Sequence, residues 1–260
     1  SVTGVQTCAL PISGPIDVTV NFSKTVTITG APRIQLETGT TDRYATYANG
    51  NGTSALHFTY TIVSGDTTTD LDYKATNSLE LNGGTIKDSA ANNAVLTLAS
   101  PGTANSLGAN KDIVIDTAAP TPTITSTQSS PTNASPINFQ VTFGEDVTGF
   151  TASDITLGGT ATTGGVASFT TVSAKSYTFT VAPTADGTIL VNIAANTLTD
   201  LAGNSNNAAT QYSITSDRNK PTPTITSTQS SPTNASPINF QVTFGRMLQD
   251  LLPLTLLLEE

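Results

Sequence analysis

Asp200-Leu201-Ala202-Gly203-Asn204 sets a carboxylate and an amide four residues apart around a glycine, a spacing that lets the chain turn tightly enough for two oxygen-bearing side chains to converge. Oxygen ligands gathered on one turn suit a hard cation such as Ca²⁺, which takes six to eight of them. Asp88 and Asn92 repeat the spacing, with Ala91 in place of the glycine. Glu145 and Asp146 follow a strongly alternating segment, and Asp116 and Asp217 stand at two similar Pro-containing stretches, so any of these acids could complete a cage. In the earlier part of the chain Lys24 and Thr25 stand where Glu145 and Asp146 stand later, which weakens a cage there. Asp and Asn also cap turns without holding any ion, and that reading stays open beside the first.

Other chemistry finds little to work with. His57 is the one histidine, and alternation places it with Thr59 and Thr61 on the wet face of a strand. Cys8 is the one cysteine, so neither a Cys/His nucleophile pair nor a nitrogen-rich zinc site is available. Asp70 and Asp72 alternate onto one face, but a hydrolytic carboxylate pair needs a cleft that the surrounding residues do not announce. A formal charge of −9, with few charges of either sign, argues against nucleic acid as a partner. These residues predict a chain that is not an enzyme.

The elements that would position these residues are strands. Ile137, Phe139, Val141 and Phe143 alternate with Asn138, Gln140 and Thr142, giving one apolar face and one wet face. Ile16, Val18, Val20 and Phe22 do the same, as do Leu56, Phe58, Tyr60 and Ile62. Tyr177, Phe179 and Val181 form a further run, joined through Asp186-Gly187 to Ile189, Val191 and Ile193, which predicts a hairpin. No segment keeps a helical period, so the class is all-β.

Pro120 to Gly144 recurs unchanged as Pro221 to Gly245, which sets one module start 101 residues after the other. That period suits an immunoglobulin-like sandwich, and repetition points to reach or display. The expected organisation is two β-sandwich modules, at 14–117 and 118–217, then the start of a truncated third at 218–245. The first module is expected to lack its first strand. Asp116 to Pro120 and Asp217 to Pro221 are the linkers, kept extended by their prolines.

Both ends read as foreign to the array. Val2 to Ile12 matches a translated sequencing adapter, so 1–13 is expected to lie outside either core. Residues 246–260 read as a frameshifted copy of Glu145 to Gly159, and the leucine-rich stretch there is too short to span a membrane.

The segments VTFGEDVTGFTASDITL and YTFTVAPTADGTILVNIAANTLTDLAGNSNNAATQYSI, with the DTAAP junction, resemble the bacterial Ig-like repeats of large surface adhesins and biofilm-associated proteins. The first module, with VTVNFSKTVTITGAPRIQLETG and SLGANKDIVIDT, resembles a second repeat type of such proteins. The resemblance covers about Gly14 to Gly245. It implies non-catalytic spacer repeats of an extracellular chain, at the bacterial cell surface or secreted, with calcium between domains in some relatives. Its partners would be adjacent repeats and, through domains outside this chain, a host or cell-surface ligand. The alternative it allows is an accessory array of a secreted polysaccharide- or protein-degrading enzyme.

Overall fold

The computed structural model describes residues 2–4, 15–161 and 163–246. Within them the chain is built almost wholly of strands, and the two modules have separate apolar cores. The readings of 5–13 as adapter and of 247–260 as frameshifted tail fall outside the described residues.

The first module comprises β1 (Val2–Gly4), β2 (Ile16–Thr29), β3 (Arg33–Leu36), β4 (Arg43–Asn49), β5 (Thr53–Tyr60), β6 (Leu79–Glu80) and β7 (Thr85–Asp88), with one short helix, α1 (Leu107–Asn110). Its strands join in the order β1-β2-β5-β4-β3-β6, and β7 adds to β2. β2 can serve two neighbours because it is 14 residues long. Its first half pairs with β5 and its second with β7, with a register shift between Asn21 and Val26. Ile16, Val18, Val20, Leu56, Phe58 and Tyr60 all project into the core, as alternation predicts.

Of the residues before 14, all expected to lie outside the module, only Val2–Gly4 are described. β1 pairs antiparallel with β2, Val2 opposite Val20 and Thr3 opposite Thr19. Three residues of β-compatible sequence suffice, since an unpaired edge accepts main-chain hydrogen bonds from any extended segment.

The second module comprises β8 (Thr123–Ser126), β9 (Ile137–Thr142), β10 (Val147–Thr148), β11 (Ile155–Gly159), β12 (Thr163–Ser173), β13 (Ser176–Pro183), β14 (Gly187–Ile193), β15 (Thr199–Asp200) and β16 (Tyr212–Ser216). One sheet runs β12-β13-β9-β8 and the facing one β11-β14-β16, with β10 and β15 as a small pair at one end. Phe139 and Phe179 stack between the sheets, ring centroids 5.0 Å apart, against Ile189, Val191 and Ile214. The expected hairpin at Asp186-Gly187 is corrected: β13 pairs with β9 and β12, β14 with β11 and β16, so the turn crosses from one sheet to the other.

After the linker, β17 (Pro223–Ser227) and β18 (Phe240–Phe244) pair, among the described residues, as a two-stranded ladder in the register of β8 and β9.

Candidate metal centre

β10 and β15 bring the acids together. Val147 opposite Asp200 fixes the end of β15 beside the end of the segment that carries Glu145. The turn after β15 closes with Gly203 at φ 89 and with the Asp200 amide donating to the Asn204 carbonyl at 3.1 Å. The linker then passes alongside, and one carboxylate oxygen from each of Asp116, Glu145 and Asp200 lies within 4.8 Å of the others. Two oxygens about 2.4 Å from one Ca²⁺ can be no farther apart than about 4.8 Å, so the spread is compatible with a shared ion. The donor set, three hard carboxylates, fits the same cation. Among the described residues this is the one place where three such side chains converge.

Burial and charge act against the anions here. Asp200 is 3% exposed, while Asp116 and Glu145 are half-buried. The Glu145 carboxyl is pushed above the ordinary glutamate range, first by burial and then by the charges of Asp116 and Asp200. Lys175 offsets this only in part, and its ammonium lies 4.0 Å from Asp146.

Several expected ligands have other roles. Asn204 presents its amide nitrogen, donating to Asp200 Oδ2 at 2.8 Å and to the Asp116 carbonyl at 3.0 Å. Its oxygen therefore does not complete the cage, and the residue clamps the acid turn to the linker instead. Asp146 is exposed and faces Lys175 rather than the cluster. Asp217 lies at the next junction, paired with Arg246, whose hydrogen bond holds its carboxyl below the usual range. Asp88 and Asn92 lie in the first module, away from the three acids. Asn92 Nδ2 donates to both Asp88 oxygens, and Lys24 Nζ lies 3.1 Å from one of them, so Asp88 is brought down to about 2 by Asn92 and then by Lys24. Ala91 takes φ 64 there, so the turn closes without its glycine.

Asp70 and Asp72 do not form an exposed strand pair. Asp72 is buried and accepts from the Tyr73, Leu107 and Gly102 amides, which makes it a structural clasp. His57 sits on the wet face as expected, with Nδ1 3.0 Å from Asp17 Oδ2.

The linker is held on both flanks. Thr117 Oγ1 donates to the Asp66 carbonyl and accepts from the Gly65 amide, both at 2.9 Å, on the first module's side. On the second module's side the Asn207 amide donates to the Pro120 carbonyl at 3.0 Å, and Asn207 Nδ2 to Thr121 Oγ1 at 2.9 Å. Thr117 falls within the linker read from the sequence, whereas Asn207 was not legible as a junction residue, because an isolated polar residue in a polar loop carries no distinguishing pattern.

Residues 116–215 match the family model of the bacterial Ig-like domain. The matched span runs from before β8 into β16 and contains all three clustered carboxylates. No match was found among curated proteins. No helix of the described residues is long and apolar enough to cross a membrane.

Proposed function

We propose that this chain is a non-catalytic spacer segment of a bacterial extracellular adhesin, in which calcium stiffens the junction between consecutive Ig-like modules. The observation that carries this reading is the charge at one equivalent position in the two complete modules. Position 24 in the first module is Lys, and its ammonium pairs with Asp88. The equivalent position in the second module is Glu145, which adds a third anion to Asp116 and Asp200. A cation from solution is the counter-charge that Lys24 supplies in the first module.

Asp116, Glu145 and Asp200 would hold the ion, which supplies positive charge and oxygen coordination rather than any reaction. Asp116 follows Ile115, a core residue of the first module, while Glu145 and Asp200 belong to the second. An ion held by all three therefore ties the two modules across their linker. The spacer role is supported by the tandem repeat and by a linker hydrogen-bonded on both flanks. The extracellular, cell-surface or secreted setting is supported by the family matched at residues 116–215, and a ligand-binding domain would lie outside this chain.

The test compares thermal unfolding of the parent and Glu145→Lys, each with calcium and with chelator. Saturation at 100 times the dissociation constant should stabilise the parent by about 2.7 kcal/mol. Glu145→Lys should unfold at one temperature in both conditions, above that of the chelated parent. Equal midpoints for the parent with and without calcium would reduce the three acids to linker and turn caps.

A further inference from the structure

We propose that Asn49 is a site of spontaneous covalent modification: its side-chain amide closes on the Gly50 nitrogen, and the ring opens with water to isoaspartate and aspartate. An Asn-Gly pair is the most open to this reaction, because glycine sets no Cβ in the way of its own nitrogen. The sequence holds three such pairs, Asn49-Gly50, Asn51-Gly52 and Asn82-Gly83. All three asparagines are exposed, so access to water does not choose among them. What separates them is hydrogen bonding.

At Asn51 both reacting groups are held. The Gly52 amide donates to the Val26 carbonyl at 3.0 Å, and Asn51 Oδ1 accepts from the Ile28 amide at 2.9 Å. Asn82 stands in the left-handed region with φ 48, and its Nδ2 donates to the Ala31 carbonyl at 3.1 Å. Either side chain must give up a bond to β2, or to the turn after it, before its acyl carbon can swing toward the next nitrogen. Asn49 has no such restraint. Among the described residues nothing accepts from the Gly50 amide, and the Asn49 side chain has no hydrogen-bond partner.

The fold also keeps residue 50 a glycine. Gly50 has φ 104, and a Cβ there would meet the Ala55 carbonyl oxygen at 2.2 Å. Its own carbonyl closes the turn between β4 and β5 by accepting from the Thr53 amide at 3.1 Å. The turn that requires this glycine thereby gives Asn49 an unshielded neighbour.

In the reaction the Gly50 nitrogen bonds to Asn49 Cγ, the Cγ–Nδ2 bond breaks, and ammonia leaves with the Gly50 amide proton. The cyclic imide then takes up one water from solvent. Opening at Cγ gives aspartate, and opening at the main-chain carbonyl carbon gives isoaspartate, with the backbone routed through Cβ. Nothing is oxidised or reduced. Asn49 pairs with His57 across β4 and β5, so the new carboxylate arises opposite that ring. His57 Nδ1 already lies 3.0 Å from Asp17 Oδ2, and the change sets a second acid against the same histidine.

The experiment holds the full chain in mildly alkaline buffer, digests it with trypsin and follows the mass gain of amide to acid in peptides 44–74 and 75–87, fragment ions separating Asn49 from Asn51. Asn49 should convert at least about tenfold faster than Asn51 or Asn82, the rate equivalent of one hydrogen bond that those two must break. Its product should be a mixture of isoaspartate and aspartate, and the His57 ring resonances should shift in step. In urea, where the folded chain's bonds are gone, the three rates should come together. Equal rates at the three positions in the folded chain, or a lead by Asn51 or Asn82, would overturn the proposal. So would aspartate as the only product, since that marks direct hydrolysis without attack by Gly50.

Discussion

Glu145 is the residue at which the junction's charge can be read most directly. Its carboxyl is raised by burial and by Asp116 and Asp200, so without calcium the folded state holds this proton to higher pH than the unfolded chain does. The folded state then binds more protons than the unfolded one between the two values, and stability falls as pH rises through that window. In chelator, the parent should therefore lose ground to Glu145→Gln as pH climbs from below about 4.3, the ordinary glutamate value, through the raised one. Urea midpoints of both proteins across that range check this, and parallel curves would contradict it. With calcium the sign should reverse, because the ion favours the ionised carboxylate. Glu145, Asp116 and Asp200 were legible as candidates because acids next to a glycine turn, a strand end and a linker stand out in a chain poor in charge. The exclusion of Asp146 and Asp217 was not, since it depends on where Lys175 and Arg246 reach. Nor was the inversion of Asn204, because a sequence does not say which end of an amide faces an acid.

At the scale of elements, alternation located the core strands, and Ile137, Phe139, Val141, Tyr177, Phe179 and Val181 are all buried. Alternation says which face is apolar but not which strand lies alongside, and Asp186-Gly187 shows the consequence. The dipeptide marks a turn correctly, yet strand edges already filled by β9, β12, β11 and β16 send the chain across the core instead of into a hairpin. Gly187 is needed for a different reason than hairpin geometry. Its φ is 139, and a Cβ there would meet Thr160 Oγ1 at 2.6 Å and the Ala161 backbone nitrogen at 2.7 Å. The Thr160 and Ala161 amides both donate to the Thr188 carbonyl, at 2.9 and 3.0 Å, so the backbone cannot retreat without losing ladder bonds. Gly187→Ala should therefore destabilise the second module by about 1–3 kcal/mol, measured by urea unfolding. A change of only a few tenths would mean that the crossover relaxes freely.

For the whole molecule the decisive quantity is the freedom of one module relative to the next. Prolines alone restrict a linker only moderately, and inter-domain motion is the default unless an interface opposes it. Residues 116–121 are opposed on both sides, through Thr117 to the first module and through Asp116, Pro120 and Thr121 to the second. The weak point of that brace is the cluster of acids, since Asp116, Glu145 and Asp200 set like charges within 4.8 Å of one another. Calcium should convert repulsion into a shared ligand set, because the ion is the largest charge in such a site. Backbone ¹⁵N relaxation reads this as rotational correlation times for each module. With calcium the two modules should share one long correlation time, and with chelator each should shorten toward that of an independent domain of about 100 residues. Glu145→Lys should keep the long value in both conditions, as an ammonium takes the place of the ion. Identical relaxation in parent chain with calcium and with chelator would mean that the hydrogen bonds of Thr117 and Asn207 set the junction by themselves.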